Sequence, residues 1–393
     1  MKGTSSCSLD MRFMKNLNKL FADNLRMLRK NGGYTQRELA DLIGYSEKTI
    51  SKWESASAIP PAETLYELAR VFQTTIDSML ERTEKPLYYA GIDGGGTKTL
   101  FALSDSNGKV IGTVTSGSCN PMTVGFEATL KTIGDGLKKL CAGISPRCVS
   151  VFAGVAGINS DINADILNQY ILSLGYGFVK TGNDTENVVA ATLGDNDGIA
   201  VIMGTGSNMF SKYKGKICKY GGFGYLFDPG GNGYSIARDA MSSVLADENN
   251  YGPHTLLTEI FRKENDCSLS SMIPELYSRG NRYIASFAKF VDVAYDAGDK
   301  IAAEIFERNM KCIATLIDYA LQDFEEETVN AFFVGGLTKR VDIFFPIIEK
   351  YLSRKTKVKL IVYDHEPVLG ALRLAGSPVD TTTGNGIVRG EKT

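Results

Sequence analysis

Two glycine-rich segments of the chain carry the residue types that bind phosphate groups. The first follows a short apolar run and consists of Asp93, Gly94, Gly95, Gly96, Thr97 and Lys98. Successive glycines allow positive φ angles and a close approach to a ligand. Their backbone N–H groups can form an anion-binding nest, to which the Thr97 hydroxyl and the Lys98 ammonium add donors. Asp93 supplies a carboxylate where a metal-bound polyphosphate needs one, which predicts an indirect contact with Mg²⁺.

The second segment repeats this pattern further along the chain. It follows the apolar run 198–203 and consists of Gly204, Thr205, Gly206, Ser207 and Asn208. Both segments are typical of a strand, a tight turn and a second strand. The pair suggests two similar lobes that hold one polyphosphate from both sides, with an ordinary hairpin turn as the alternative for either segment alone. The first segment fits neither a Walker A loop nor a dinucleotide fingerprint, because Thr97 separates the last Gly from Lys98 and position 99 is Thr.

Asp184 is a candidate both for a helix cap and for catalysis. It stands where the predicted strand 178–181 ends and the helix 185–193 begins, a usual place for active residues in α/β proteins. A kinase needs a carboxylate there to orient an acceptor hydroxyl and take its proton. From its position alone, a cap for the following helix is the favoured role of Asp184.

Residues 16–82 are predicted to form a separate helical domain after a disordered tail at 1–15. Thr35 and Glu38 form a capping box for the second helix, Gly44 makes a turn, and Ser46 caps a third helix. A helix, a short turn with Gly and a second helix, set among five short helices, indicate a helix-turn-helix domain.

The remaining chain is predicted to alternate strands and helices up to about residue 233, which indicates a parallel-rich α/β sheet. Helices dominate afterwards, with further strands at 331–334 and 357–362. The last 17 residues, 377–393, are rich in Thr and Gly and are predicted to be a disordered tail.

Composition limits the class of protein. A length of 393 residues suggests two to three domains at about 150 residues each. The net charge of −2 argues against general coating of nucleic acid, although residues 1–85 carry 13 basic and 11 acidic side chains. Seven cysteines without a C-x-x-C pair indicate reduced thiols, and two histidines exclude a histidine-rich metal site. The absence of a signal sequence and of a long apolar run predicts a cytoplasmic protein without a membrane contact.

The helical segment 35–54 resembles the Cro/C1-repressor (XRE) family. By that resemblance Glu47, Lys48 and Lys52 face base edges of DNA, whereas Gln36 and Ser46 contact its phosphate backbone. The resemblance implies a homodimer on a double-stranded DNA operator.

Residues 87–376 resemble the actin-like, sugar-kinase and Hsp70-type ATPase fold, and within it the N-acetylglucosamine kinase and BadF/BadG/BcrA/BcrD ATPase family. The resemblance implies an α/β fold of two duplicated ribonuclease-H-like lobes that bind ATP and Mg²⁺, with Asp184 as the base. It also implies sugar contacts at Asn120, Ala156, Gly157, Asp184, Asn208 and Asp228. Gly335 and Gly336 match the adenosine loop. The segment 221–237 departs from the family pattern, since Pro229 follows Asp228 and Asn232 stands where many relatives have Ser.

The predicted organisation is therefore a helix-turn-helix domain at 16–82, a linker at 83–86, lobe I at 87–196 and lobe II at 197–376, whose last helix can pack on lobe I. We expect a transcription regulator that senses an amino sugar and phosphorylates it. The alternatives are an amino-sugar kinase with an accessory DNA-binding domain and an ATPase activator of a 2-hydroxyacyl-CoA dehydratase. A ROK-type protein would carry a Cys-rich zinc loop, which this sequence lacks.

Overall fold

The computed structural model describes residues 6–72, 74–80, 86–158, 161–325, 328–354 and 357–381. The chain divides into two compact units, one formed by residues 1–187 and 366–393 and the other by residues 188–365. The helix that carries Asp184 spans this division, which falls before the predicted lobe boundary at 196/197. Residues 83–85 of the predicted linker lie outside the described residues.

Five helices form the amino-terminal domain. They are α1 (Ser6–Asn31), α2 (Gln36–Leu42), α3 (Glu47–Glu54), α4 (Ala62–Val71) and α5 (Ile76–Leu80). Their apolar faces meet in one core built around Phe21, Leu25, Leu39, Ile50, Trp53, Leu68 and Met79. The predicted caps are confirmed: Thr35 and Glu38 form a reciprocal capping box, and the Ser46 hydroxyl accepts a hydrogen bond from Thr49 N.

The first helix is longer than expected. Residues 6–15 were predicted to be a disordered tail, but the structure continues α1 back to Ser6. The physical reason is that no Gly or Pro interrupts 6–31, so a helix anchored by its packed carboxyl-terminal half can propagate backwards. Residues 1–5 lie outside the described part of the chain.

The first unit contains a five-stranded sheet in the order β3-β2-β1-β4-β5. Its strands are β1 (Tyr88–Gly94), β2 (Lys98–Asp105), β3 (Val110–Gly117), β4 (Val149–Val155) and β5 (Phe178–Gly182). Strands β1 to β3 form an antiparallel meander, and β4 and β5 add in parallel to β1. The carboxyl ends of β1, β4 and β5 therefore reach the same edge.

Helices lie between these strands or after them along the chain. They are α6 (Pro121–Val124), α7 (Phe126–Leu140), α8 (Asp161–Ser173), α9 (Asp184–Thr192) and, after the second unit, α16 (Val368–Leu374). Helix α16 packs on β1 and β2, and it comes so close that a Cβ at Gly91 would lie 2.6 Å from Leu372 N. Residues 377–381, expected in the disordered tail, also pack here, since Val379 is buried and the Ser377 and Ser104 hydroxyls are hydrogen-bonded. Residues 382–393 are outside the described chain.

The second unit repeats the connectivity of the first. Its sheet has the order β10-β9-β6-β7-β8, with an antiparallel meander of three strands and two parallel additions. The strands are β6 (Gly198–Met203), β7 (Ser207–Tyr213), β8 (Lys216–Gly221), β9 (Val329–Val334) and β10 (Val358–Val362). This duplication confirms the predicted two-lobed α/β fold.

Six helices of the second unit build its largest core. They are α10 (Gly233–Glu248), α11 (Leu256–Asn265), α12 (Leu269–Ala285), α13 (Ala288–Asp296), α14 (Lys300–Ala320) and α15 (Val341–Tyr351). Pro274 and Gly280 both lie within α12. The chain bends at Gly280, whose φ is +73°, and continues as helix on both sides.

Candidate functional site

The phosphate-binding segment of the first unit forms a turn between β1 and β2. Gly95 N donates to Lys98 O at 3.0 Å, which closes the turn. Ala156 N donates to Gly94 O at 2.7 Å, so the end of β4 is joined to the end of β1. Two residues predicted for different ligands, Gly94 and Ala156, thus lie side by side.

Asp184 is the first residue of α9, directly after β5. The helix cap is made by its neighbours, since Asn183 Oδ1 accepts from Thr185 N at 3.1 Å and Glu186 Oε1 accepts from Asn183 N at 2.9 Å. Asp184 therefore does not carry the main capping role that its position alone favoured. Burial raises the pKa of Asp184 to about 6, although the backbone N–H groups of Thr185 and of Asp184 itself oppose the shift.

Asp93 lies in the same electrostatic environment as Asp184. Burial raises the pKa of Asp93 to about 7, against a hydrogen bond from Asn187. The negative charges of Asp184 and Glu366 raise this pKa further, whereas the positive charge of Lys98 lowers it. Two carboxyl groups with raised pKa values at one sheet edge are typical of an active site.

Lys98 is already paired in the structure. Its ammonium lies 3.1 Å from Glu366 Oε1, and the Glu366 side chain is 10% exposed. Lys98 itself is 57% exposed. Its ammonium can therefore bind a phosphate either while it stays paired with Glu366 or after that pair opens. Glu366, which the sequence pattern did not single out, therefore lies beside a residue predicted to bind phosphate.

Asn120 and Gly157, both predicted to contact sugar, are brought together. A Cβ at Gly157 would lie 2.5 Å from Asn120 Oδ1, and Gly157 has a φ of +84°. Asn120 also caps α6 by accepting from Met122 N at 2.9 Å. The preceding residue, Cys119, is fully buried, and burial raises the pKa of its thiol to about 11. Cys119 is therefore a neutral packing residue against Gly94, where a Cβ would lie 2.4 Å from its Sγ.

In the second unit, the turn after β6 contacts the start of α10. Gly233 N donates to Gly204 O at 2.8 Å, and Tyr234 N donates to Thr205 O at 3.0 Å. Thr205 and Gly206 are exposed and remain available to a ligand.

The Ser207 hydroxyl was predicted to hold phosphate, but the structure uses it internally. It donates to Gly230 O at 3.0 Å and accepts from Asn232 Nδ2 at 3.2 Å. Asn232 also caps α10 through Ser235 N. Asn232 thus joins the segment 221–237 to the turn, which gives this departure from the family pattern a structural role.

The other predicted residues of the second unit lie beside glycines. Asp228 Oδ1 accepts from Phe223 N at 2.8 Å. A Cβ at Gly222 would lie 2.4 Å from Asn208 Oδ1. A Cβ at Gly335 would lie 2.1 Å from Met203 O. The close approach of the backbone to β6 is therefore enough by itself to require glycine at this position. Gly336 is exposed with open space around it.

The helix-turn-helix domain presents a polar face on α3. Glu47, Lys48 and Lys52 are exposed, whereas Ile50 and Trp53 face the core. This division places the three predicted base-reading side chains on the solvent side of one helix.

Gln36 was predicted to contact DNA phosphate, but its side chain is held within the domain. Gln36 Nε2 donates to Glu54 Oε2 at 2.7 Å, and Arg29 pairs with both Glu54 oxygens. Arg26 Nη2 donates to Glu54 O at 2.7 Å. Burial alone would raise the pKa of Glu54, but the hydrogen bonds from Arg29 and Gln36 hold it below its ordinary value. This buried cluster joins α1, α2 and α3.

The described residues contain neither a metal-binding cluster nor a membrane-spanning helix. No group of three or more His, Cys, Asp or Glu side chains there is arranged to hold a metal ion. Among the same residues, none of the helices combines the length and apolar character needed to span a bilayer.

Comparison with known proteins identifies both parts of the chain. The BadF/BadG/BcrA/BcrD ATPase family matches residues 90–375, and a helix-turn-helix family matches residues 25–79. The N-acetylmuramic acid/N-acetylglucosamine kinase of Clostridium acetobutylicum is 28% identical over 305 residues, which cover 75% of this chain and 99% of that protein.

Solved structures show the same fold. A proposed N-acetylglucosamine kinase from Chromobacterium violaceum has a TM-score of 0.59 at 19% identity and covers 73% of this chain and 98% of its own. A ROK family transcriptional regulator, a homologue of the E. coli MLC protein, has a TM-score of 0.51 at 13% identity and covers 92% of this chain and 96% of its own. At these identities the likeness is one of fold. Because its family match spans most of the sequence, this chain belongs to the BadF/BadG/BcrA/BcrD ATPase family and carries a helix-turn-helix domain ahead of the ATPase domain.

Proposed function

We propose that this protein is a transcription regulator whose ATPase domain senses an amino sugar and phosphorylates it with ATP. The observation that carries the kinase step is Asp184, a half-buried carboxyl with a raised pKa at the carboxyl end of a parallel strand. The observation that carries the regulator role is the exposed face of α3 in a helix-turn-helix domain. The likeness to kinases of N-acetylated amino sugars supports that class of acceptor.

Membership of an ATPase family implies that the domain uses ATP. We infer that the turn 94–98 of the first unit and the turn 204–206 of the second each offer backbone N–H groups to phosphate. The donor set near Asp93 fits Mg²⁺, because this ion keeps several waters and takes one or two carboxylates together with substrate phosphates. When bound, Mg²⁺ would neutralise phosphate charge, and Asp93 would hold it through a coordinated water.

The transfer step requires few protein groups. The acceptor hydroxyl oxygen forms a bond to the γ-phosphorus as the bond from that phosphorus to the bridging oxygen breaks, and ADP leaves. Asp184 orients the hydroxyl and takes its proton. The candidate sugar contacts of the first unit are Asn120, Ala156 and Gly157, and those of the second unit are Asn208 and Asp228.

The function is tested by measuring ATP consumption by the purified full chain over a panel of amino sugars with magnesium. We expect turnover with an N-acetylated amino sugar. Consumption that no sugar stimulates, from folded protein, would contradict the kinase step. The regulator role is tested separately, by whether the same preparation selects a sequence from a random DNA library at low salt.

Lys52 should read DNA bases. We expect the full chain to bind as a homodimer to two half-sites roughly 34 Å apart. Lys52→Ala should weaken binding to the selected sequence by about 1–3 kcal/mol and relax its base preference. Titration of labelled cognate and scrambled duplexes measures both effects.

Lys19→Ala, an exposed change on α1, provides the control for charge alone. Equal losses on the cognate and scrambled duplexes would mean that Lys52 only contacts phosphate.

Ligand should change the affinity for DNA. A ligand can shift this affinity only by its different affinity for two states of the protein, and such coupling is typically about 1–3 kcal/mol. We therefore expect an amino sugar or its 6-phosphate to change operator affinity about 5- to 150-fold. Operator titrations with each ligand, in wild type and in Asp184→Asn, measure the coupling and show whether phosphorylation is needed. Superimposable curves under every condition would mean that ligand binding and DNA binding are not coupled and that the two domains are only tethered.

A further inference from the structure

Asn187 makes a set of contacts that no sequence motif predicts. It lies on α9, one turn after Asp184, and its side chain is fully buried. Its Nδ2 donates to Asp93 Oδ1 at 2.8 Å, to Ile92 O at 3.2 Å and to Gly154 O at 3.4 Å. One amide thus connects the ends of β1 and β4 to the helix that begins with Asp184.

The Asn187 amide fits beside β4 because a glycine of that strand leaves room for it. A Cβ at Gly154 would lie 2.3 Å from Asn187 Oδ1 and 2.5 Å from its Nδ2. Gly154 is therefore the residue that lets the side chain reach Asp93. The orientation of the amide is settled by its surroundings, because the three atoms near Nδ2 are two carbonyl oxygens and a carboxylate oxygen.

The Asn187 amide is only partly satisfied within the fold. Asn187 Oδ1 is buried and has no hydrogen-bond partner among the described residues. An unsatisfied buried acceptor destabilises a fold, so an apolar side chain of similar volume would avoid that cost. The same apolar side chain would also remove the donor to Ile92 O, to Gly154 O and to Asp93 Oδ1, so the Asp93 carboxylate would lose the hydrogen bond that fixes its position.

We propose that Asn187 is a positioning residue for the phosphate site, which holds Asp93 at the turn Gly94–Lys98 and ties it to the helix of Asp184. Asn187 Nδ2 donates a hydrogen bond to Asp93 Oδ1. Among the described residues, Asp93 Oδ2 has no hydrogen-bond partner. That oxygen is the one that would face a metal-bound water. The inference rests on the proposed function in so far as it concerns Mg-ATP at this turn.

The test separates positioning from packing. Asn187→Ala removes the amide and leaves a cavity, and Gly154→Ala in the same chain adds a methyl group where the amide was. We expect the double variant to recover a Tm within about 4 °C of wild type. Its Kd for Mg-ATP, measured by calorimetry, should remain raised about 10- to 100-fold, as should KM for ATP in the sugar kinase assay. The KM for sugar should change less.

Asn24→Ala is the matched control. Asn24 is also a buried asparagine, and its Nδ2 donates to Ser78 O and Met79 O in the helical domain. This variant should lower stability and leave the Kd for Mg-ATP unchanged. A double variant that binds Mg-ATP like wild type would show that Asn187 serves packing only and would overturn the inference.

The two proposals fail in different ways. Wild type that binds Mg-ATP and phosphorylates no sugar would contradict the proposed kinase, while the Kd comparison would still decide the role of Asn187. Wild type that binds no Mg-ATP would overturn both, since there would be no nucleotide site to position.

Discussion

Asp184→Asn should lower sugar phosphorylation about 10²- to 10⁴-fold if Asp184 acts only as the base. The substitution keeps the shape of the side chain but removes its ability to accept the hydroxyl proton. It should also make the protein more stable at neutral pH, because the pKa of Asp184 is raised to about 6 by burial. A carboxyl with a raised pKa binds its proton more tightly in the folded state, so its contribution to stability is lost as the pH rises through about 6. Replacing this carboxyl by an amide should therefore raise the free energy of unfolding by about 1–3 kcal/mol at pH 8.

The two effects have opposite signs, which makes the measurement decisive. Initial rates from a coupled ADP assay and unfolding by denaturant are compared in wild type and Asp184→Asn. Asp135→Asn, an exposed change on α7, is the control and should alter neither. Loss of turnover together with loss of stability would point to a damaged fold and not to a missing base.

The pH dependence checks the same assignment. The base must be ionised to accept a proton, so the rate in wild type should fall as the pH is lowered through about 6. A rate that is unchanged down to pH 5 would require another group to take the proton.

Local signals made much of this fold predictable. The capping box of Thr35 and Glu38 and the cap at Ser46 lie within three or four residues of the groups that they satisfy, so the sequence contains the whole interaction. The turns at Gly94 and Gly204 were predictable because glycine readily adopts the positive φ angles of a tight turn and here follows an apolar run typical of a strand. The pair of turns predicted two similar lobes.

What could not be predicted depends on distant partners. Asn187 looks like any polar residue within a helix until β1 and β4 lie beside it. The internal use of Ser207 depends on Asn232, and that of Gln36 depends on Glu54. Sequence patterns indicate which side chains can bind phosphate or DNA, but not which of them the fold has already engaged.

The buried Glu54 cluster in the helix-turn-helix domain should dominate the stability of that domain. Glu54 is 3% exposed and accepts hydrogen bonds from Arg29 and Gln36. Glu54→Ala would leave the half-buried guanidinium of Arg29 without its carboxylate. Breaking a buried ion pair by removing one partner typically costs about 3–5 kcal/mol.

Trp53 allows this cost to be measured in the full chain. It is the sole tryptophan of the sequence, it is 4% exposed, and it lies in the core of the helical domain. Its fluorescence therefore follows unfolding of this domain and not of the ATPase domain. Glu54→Ala should lower the free energy of unfolding by about 3–5 kcal/mol, whereas Glu67→Ala, an exposed change on α4, should lie within about 0.5 kcal/mol of wild type.

The pH dependence of this loss identifies its cause. The pKa of Glu54 is held below its ordinary 4.5, so its contribution is present above that pH and is lost as the pH falls through the lowered value. The difference between wild type and Glu54→Ala should therefore be largest near neutral pH and shrink in acid. Because Glu54 ends the helix that carries Lys48 and Lys52, the variant should also lose operator binding at temperatures where the ATPase domain remains folded. A Trp53 transition that Glu54→Ala leaves unchanged would mean that apolar packing alone holds the recognition helix in place.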